Sequence, residues 1–181
     1  MSARRILLTG CQGAGKTALV SEMARRGWDV VKSPAQRVIR AEQRMGGSGL
    51  PWQDAARFHR LCLKMAMADW EGVRVGTAIF DGGVIEPSLG LAATGAGASP
   101  KAAQKTYPYD RRVVLLPPWP ALFSEGPDRR GSLDAAMEEY QMLTAGLTEL
   151  GYALAVAPEA GIAARADWLE DALTSGAAQE V

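Results

Sequence analysis

The sequence predicts an α/β fold in which one parallel β-sheet of about five strands lies between helices on both of its faces. Short apolar segments typical of buried strands alternate along the chain with longer segments of helical spacing. A glycine-rich turn, 10–15, joins the first strand directly to the first helix. The chain has 181 residues, a length at which one core can bury most of the apolar surface. We therefore expect a single three-layer domain over residues 1–181.

The first half of the chain predicts three strands and three helices. Gly27 is expected to end the first helix, and Pro34 suits the first turn of the second helix, where its missing N–H costs nothing. The flexible break 46–49 separates the second helix from the third. The predicted order is a strand over 4–9, a helix ending at Gly27, a strand over 28–31, a helix over 35–45, a helix over 51–71 and a strand over 73–80.

The second half continues the alternation with two more strands. Residues 89–100 are rich in Gly, Ala and Ser and predict a helix fragment that runs into a mobile loop. Residues 112–116 predict a strand that the following prolines end, and the polar loop 124–131 is a candidate lid. A helix over 133–150, a strand over 152–156 and a helix over 162–173 complete the chain.

Charge and cysteine usage narrow the classes of partner. Twenty Lys and Arg residues balance twenty Asp and Glu residues, so no global field favours nucleic acid or an anionic membrane. The apolar runs are shorter than the ~20 residues that cross a bilayer, and no signal-peptide core follows the first residues, so we expect a cytoplasmic protein. Two isolated cysteines and one histidine do not predict zinc or a disulfide framework. The oligomeric state stays open.

A phosphate-binding motif fills the turn between the first strand and the first helix. Residues 10–17 read Gly-Cys-Gln-Gly-Ala-Gly-Lys-Thr and match Gly-x4-Gly-Lys-[Ser/Thr] in full. The glycines let backbone N–H groups point at phosphate oxygens, and the helix adds its positive N-terminal end. Lys16 is expected to bridge the β- and γ-phosphates, and Thr17 to hold Mg²⁺. The residues expected to contact ATP are Gly10, Gln12, Gly13, Ala14, Gly15, Lys16, Thr17 and Ala18.

Three further residues are candidates for catalysis together with Lys16. Asp81 follows the apolar segment 73–80, so it has the position of an acid that holds Mg²⁺ or accepts a proton from an attacking hydroxyl. An ordinary turn aspartate before two glycines is the alternative. Arg129 and Arg130 lie in the candidate lid and could close over the triphosphate, or they are a solvated charge pair.

Beyond this motif the chain resembles a family of small P-loop proteins, often called AAA-like ATPases or predicted kinases. That family is similar to the kinase domain of the bacterial NAD-biosynthesis regulator and to nucleoside and nucleotide kinases. The resemblance implies a P-loop NTPase fold, ATP at Gly10 to Thr17, Asp81 near magnesium or the acceptor, and a lid that includes Arg129 or Arg130. The segments that carry it are 33–39 (Ser-Pro-Ala-Gln-Arg-Val-Ile), 49–54 (Gly-Leu-Pro-Trp-Gln-Asp), 80–84 (Phe-Asp-Gly-Gly-Val), 109–120, 128–130 and 150–152.

The chain departs from that family at two places that face the expected acceptor site. It has Ser33-Pro-Ala-Gln36 where the family usually shows Glu-Pro-Ala-Arg, and Asp81-Gly82-Gly83 where the family shows Asp-Arg-Gly. Loss of an arginine removes a bidentate grip on a phosphate or carboxylate.

Three hypotheses for function follow from the motif and these departures. The first is a small-molecule kinase of nucleoside or nucleotide type that transfers the γ-phosphoryl group of Mg-ATP to an unknown acceptor. The second is a nucleotide-dependent ATPase, switch or binding module with little or no transferase activity. An oligomeric motor ATPase is a minor alternative, because one short domain lacks a second arginine set.

Overall fold

Five short apolar segments form a single sheet in the structure, a computed structural model that describes residues 3–120 and 132–175. All neighbouring strands are parallel, in the order β2-β3-β1-β4-β5. The strands are β1 (Arg4–Gly10), β2 (Asp29–Val31), β3 (Thr77–Asp81), β4 (Arg112–Leu116) and β5 (Ala153–Val156). The helices are α1 (Lys16–Arg25), α2 (Pro34–Met45), α3 (Ala55–Gly72), α4 (Ile85–Ala93), α5 (Pro100–Thr106), α6 (Leu133–Glu149) and α7 (Ile162–Ser175).

Helices cover both faces of the sheet because side chains of the central strand β1 alternate between two cores. Ile6 and Leu8 belong to a cluster that includes Leu19 of α1 and Leu169 of α7. Leu7 points to the opposite face, in a cluster with residues of α3, α4 and α6. The predicted three-layer α/β fold is confirmed.

The register of the sheet brings the functional candidates to one edge. Leu8 of β1 lies opposite Asp81 of β3, and Gly10 lies opposite Leu116 of β4. The Gly82 N–H donates to the Leu8 carbonyl at 2.9 Å and extends this pairing past the end of β3. Because parallel strands end at the same edge, the phosphate-binding turn and Asp81 are neighbours.

Several predicted element boundaries were wrong. The strand predicted from Val73 begins at Thr77, because α3 continues to Gly72 and Gly76 then adopts a positive φ of 77° in a turn. The third helix begins at Ala55, where the side chain of Asp54 caps it by accepting from the Arg57 N–H.

The region 89–100, predicted as a helix fragment followed by a loop, contains the end of α4 and a loop, and a helix that was not predicted, α5, begins at its last residue. Ser99 caps it by accepting from the Ala102 N–H, and Pro100 occupies its first turn. The candidate lid 124–131 lies outside the described residues. In the part of the chain that the structure describes, no helix combines the length and apolar character needed to cross a membrane.

Candidate functional site

The phosphate-binding turn depends on glycines with backbone angles that other residues rarely adopt. Gly10, Gly13 and Gly15 have φ values of 143°, 82° and 81°. A Cβ atom on Gly10 would lie 2.3 Å from the carbonyl oxygen of Leu116, so only glycine fits beside β4. No side chain caps α1, which leaves the N–H groups of its first turn facing the loop.

Lys16 and Thr17 lie at the start of α1 and contact polar groups of the site. The Lys16 ammonium donates to the carbonyl oxygens of Gly10 at 2.5 Å and Cys11 at 2.6 Å, so the side chain folds back over the turn. The Thr17 hydroxyl accepts a hydrogen bond of 2.7 Å from the Gln36 amide of α2. Gln36, one of the departures from the family pattern, therefore lies directly beside the expected magnesium ligand.

The other predicted nucleotide contacts differ in exposure. Gln12 and Ala18 are exposed, whereas Ala14 is buried and could meet a nucleotide only through its backbone. The Gln12 N–H donates to the carboxylate of Glu139 on α6 at 2.9 Å. An acid from a distant helix thus holds one N–H group of the turn.

A cleft of about 120 Å³ opens beside the turn at the carboxyl ends of β1 and β3. It brings the P-loop, two of the positions that depart from the family pattern (Ser33 and Gly82) and the candidate acid Asp81 into one space. Its lining includes Gly10, Lys16, Ser33, Cys62, Asp81, Gly82, Glu86 and Glu139.

Asp81 is the buried acid of this cleft. Its side chain is 4% exposed, and Oδ1 has no hydrogen-bond partner among the described residues. Burial raises the pKa of Asp81 to about 6, while the charge of Lys16 lowers it and that of Glu86 raises it further. An acid with a pKa near the operating pH is suited to accept a proton during catalysis.

Glu86 is a second acid in the cleft, which the sequence analysis missed. It lies in the first turn of α4, and Oε2 accepts from the Gly83 N–H at 2.9 Å. Its Oε1 is buried without a hydrogen-bond partner in residues 3–120 and 132–175, and burial raises the pKa of Glu86. A signal was available, since Glu86 follows Asp81 by five residues and lies three residues before the helix fragment predicted from residue 89, and acids are favoured near the start of a helix.

The turn between the two acids is held in place from the neighbouring loop. The Tyr109 hydroxyl accepts from the Val84 N–H at 3.1 Å, and a Cβ atom on Gly83 would lie 2.4 Å from that hydroxyl oxygen. Tyr109 also packs edge-on against Phe80 of β3. Gly83 therefore lets the turn approach Tyr109 closely enough to fix the start of α4.

The donor set fits magnesium better than zinc. No group of three or more His, Cys, Asp or Glu side chains within the described ranges is placed to hold a metal ion. Magnesium needs no such cage, because it retains waters and phosphate oxygens and takes one or two hard oxygen ligands from the protein. The Thr17 hydroxyl and the orphaned Asp81 oxygen have that character. Arg129 and Arg130 lie outside the described residues, so their role stays a prediction.

The fold agrees with comparisons to known proteins. A family model described as an AAA domain matches residues 5–165. A search of the curated proteins found no match.

Solved structures of kinases have the same fold. A deoxyadenosine kinase from M. mycoides with bound dCMP and dCDP matches with a TM-score of 0.59 at 16% identity, over 94% of this chain and 98% of that chain. A shikimate kinase from Bacteroides thetaiotaomicron matches with a TM-score of 0.60 at 19% identity, over 94% and 98%. A shikimate kinase from Acinetobacter baumannii in complex with shikimate matches with a TM-score of 0.61 at 15% identity, over 96% and 94%.

Proposed function

Because the chain belongs to the AAA domain family, we propose that it binds Mg-ATP and transfers the γ-phosphoryl group to a hydroxyl of a small molecule. One observation carries the proposal: a complete phosphate-binding turn shares a cleft with a buried carboxylate that has a free oxygen. In this proposal the turn supplies the phosphate site, and the carboxylate of Asp81 in the same cleft meets the acceptor hydroxyl.

Each of three residues in or beside the cleft has a separate role in the proposed reaction. Lys16 exchanges its contacts with two backbone carbonyls for the β- and γ-phosphates, which its single flexible ammonium can reach. Thr17 would hold Mg²⁺ directly and Asp81 would reach it only through a water molecule, which leaves the Asp81 carboxylate free to act as a base; the ion would neutralise charge on the phosphate oxygens. As the acceptor oxygen forms a bond to the γ-phosphorus, its proton passes to Asp81, and the bond to the β,γ-bridging oxygen breaks, releasing ADP with that electron pair.

The charges of the cleft favour an acceptor without a phosphate or carboxylate group. Among its described lining residues, Lys16 is the one cation, whereas Asp81, Glu86 and Glu139 are acids. Gly82 stands where the family that the sequence resembles shows arginine, so the described lining of the cleft has no planar donor that grips an anion bidentately. We therefore favour a nucleoside or similar neutral alcohol over a nucleotide.

A nucleotide-dependent switch is the second candidate. Its supporting observation is the hydrogen bond between the Gln12 N–H of the turn and Glu139 of α6. Nucleotide phosphates would repel that carboxylate, so binding would be transmitted to α6 and the segment before it. A change in protease cleavage within 124–131 on addition of Mg-ATP, without acceptor-dependent ADP release, would support the switch over the kinase.

The proposal is tested first by thermal unfolding with and without Mg-ATP. A ligand that binds only the folded state stabilises it by about 2.7 kcal/mol at 100 times its dissociation constant. We expect this gain in the wild type and its loss in Lys16→Ala, with Lys101→Ala on the exposed face of α5 as the matched control. Absence of a gain in the wild type would contradict nucleotide binding.

Phosphoryl transfer is tested by ADP release with nucleosides and their monophosphates as matched acceptors. We expect release with an uncharged member and about a 10²-fold to 10⁴-fold loss in Asp81→Asn, the usual contribution of a positioned base. The Asp81→Asn variant should still be stabilised against thermal unfolding when ATP is added. Unchanged turnover in this variant would rule out Asp81 as the base.

A further inference from the structure

A fully buried arginine lies behind the phosphate-binding turn. Arg165 of α7 is 1% exposed, and its Nη1 donates to the carbonyl oxygen of Ala14 at 3.1 Å across 151 residues of sequence. Ala14 is itself 1% exposed and stands between Gly13 and Gly15 in the turn. The guanidinium therefore contacts the side of the turn that faces the core.

The positive charge of Arg165 has little compensation. None of the ion pairs formed within residues 3–120 and 132–175 includes it, and its Nε is buried without a hydrogen-bond partner there. The ring of Trp119 lies 5.8 Å from the guanidinium carbon, near the limit for a cation–π contact. Burial lowers the pKa of Arg165, as expected for a charge removed from water. Burying such a charge costs folding free energy, so stability alone does not explain the position of Arg165.

Another arginine, Arg26, shows how a cation near α7 is usually paired with acids. Arg26 follows α1 and donates to carboxylates of Glu22, Asp167 and Glu170 at 2.7 to 2.9 Å. It also donates to the Ala163 carbonyl at 3.2 Å. Arg26 therefore joins α1 to α7 with its charge fully paired. Joining helices therefore does not explain why Arg165 is buried with no acid paired to it in the described part of the chain.

We propose that Arg165 is a positioning residue for nucleotide binding, which holds the Ala14 carbonyl toward the core and whose unpaired charge is offset by the phosphates of a nucleoside polyphosphate. With that carbonyl held on the inner side, the N–H groups of the turn remain free to face the phosphate site. A polyphosphate bound there supplies negative charge that no acid within residues 3–120 and 132–175 provides to Arg165. This inference rests on the proposed nucleotide binding.

The experiment measures Mg-ATP affinity by titration calorimetry for the wild type, Arg165→Met, Arg165→Lys and Arg26→Met, with folding checked by circular dichroism. We expect Arg165→Met to weaken the Kd by about tenfold or more, since it removes a charged hydrogen bond and its charge. Arg165→Lys keeps the charge and should remain within about threefold of the wild type. Arg26→Met loses contacts to α7 but should keep the wild-type Kd.

Equal affinity in the wild type and Arg165→Met would overturn the role of Arg165 while leaving nucleotide binding intact. An equal loss in Arg26→Met would overturn it too, because the effect would then come from the packing of α7. If the wild type binds no Mg-ATP, both this inference and the proposed function fail. Should Arg165→Met not fold, Arg165→Gln replaces it as the neutral variant, with the same expected loss.

Discussion

Charged side chains near the two ends of helix α1 differ in whether they are paired with opposite charges. At the C-terminal end, Glu22, Arg26, Asp167 and Glu170 form a connected network of ion pairs. The hydrogen bonds from Arg25 and Arg26 lower the pKa of Glu22 to about 2. Each charge in that network meets an opposite charge, as is usual on a protein surface near a helix end.

At the N-terminal end, charges are buried and largely unpaired. Asp81, Glu86 and Arg165 each have a buried polar atom without a hydrogen-bond partner among the described residues, and Lys16 contacts only backbone carbonyls by hydrogen bond. Burial raises the pKa of Asp81, the direction opposite to that of Glu22. Unsatisfied polar groups cost stability, so their concentration at one end indicates a site adapted to a ligand.

The largest expected effect is on the free energy of unfolding, and it is tested by replacing a glycine near each end of α1, Gly10 and Gly27. In Gly10→Ala, the new Cβ would meet the Leu116 carbonyl oxygen at 2.3 Å, and the backbone φ of 143° adds strain. We expect a loss of about 3 kcal/mol or more in the free energy of unfolding, as for severe overpacking. Gly27→Ala has φ 94° and nothing within 4 Å of the new Cβ, so backbone strain of about 1 to 2 kcal/mol is its expected cost.

Urea denaturation of both variants tests this difference. If Gly27→Ala were as destabilising as Gly10→Ala, backbone angle alone would explain both costs, and the close approach of β4 to the turn would not matter.

The next effect concerns the pH dependence of stability. The pKa of Asp81 is about 6 in the folded protein against an ordinary value of 3.8, so the folded state binds its proton more tightly. This group therefore favours folding most below about pH 4, and its contribution falls as the pH rises to 6. Asp81→Asn removes this loss and should be more stable than the wild type at pH 7 by about 2 to 3 kcal/mol.

Denaturant unfolding at pH 4.5 and pH 7.5 measures that contribution. Glu86 has a raised pKa as well and stays in the variant, so a residual slope of the same sign is expected. The exposed Glu159→Gln serves as the control and should leave the wild-type slope unchanged. A slope in Asp81→Asn equal to that of the wild type would show that Asp81 ionises without penalty.

The fold and the phosphate-binding turn could be predicted because their signals are local. Alternating apolar and helical segments predicted the three-layer α/β architecture, and the motif at 10–17 needs only eight consecutive residues. The predicted start of β3 was wrong because Val73 and Val75 are apolar, as in a buried strand. In the structure both lie in the turn between α3 and β3, and Val75 is 75% exposed. Composition alone cannot distinguish such a turn from a strand.

The surroundings of the turn could not be predicted, because they come from distant parts of the chain. Glu139 reaches Gln12 across 127 residues, and Arg165 reaches Ala14 across 151. One sequence does not report such pairings, and both residues have ordinary helical contexts. Glu86 differs, because its position shortly after Asp81 can be seen in the sequence. Only the burial of its carboxyl group had to come from the structure.

The smallest expected effect concerns Gln36, whose amide donates to the Thr17 hydroxyl at 2.7 Å. A neutral hydrogen bond of this kind contributes about 0.5 to 1.5 kcal/mol, so Gln36→Ala should weaken Mg-ATP binding by no more than about tenfold. The loss should shrink when ATP is offered without magnesium, because Thr17 then has no metal to coordinate. Calorimetric titration with and without Mg²⁺ measures both values, and Gln43→Ala, which changes an exposed glutamine of the same helix α2, is the control. An equal loss with and without magnesium would mean that Gln36 acts on the turn itself and not on the metal ligand.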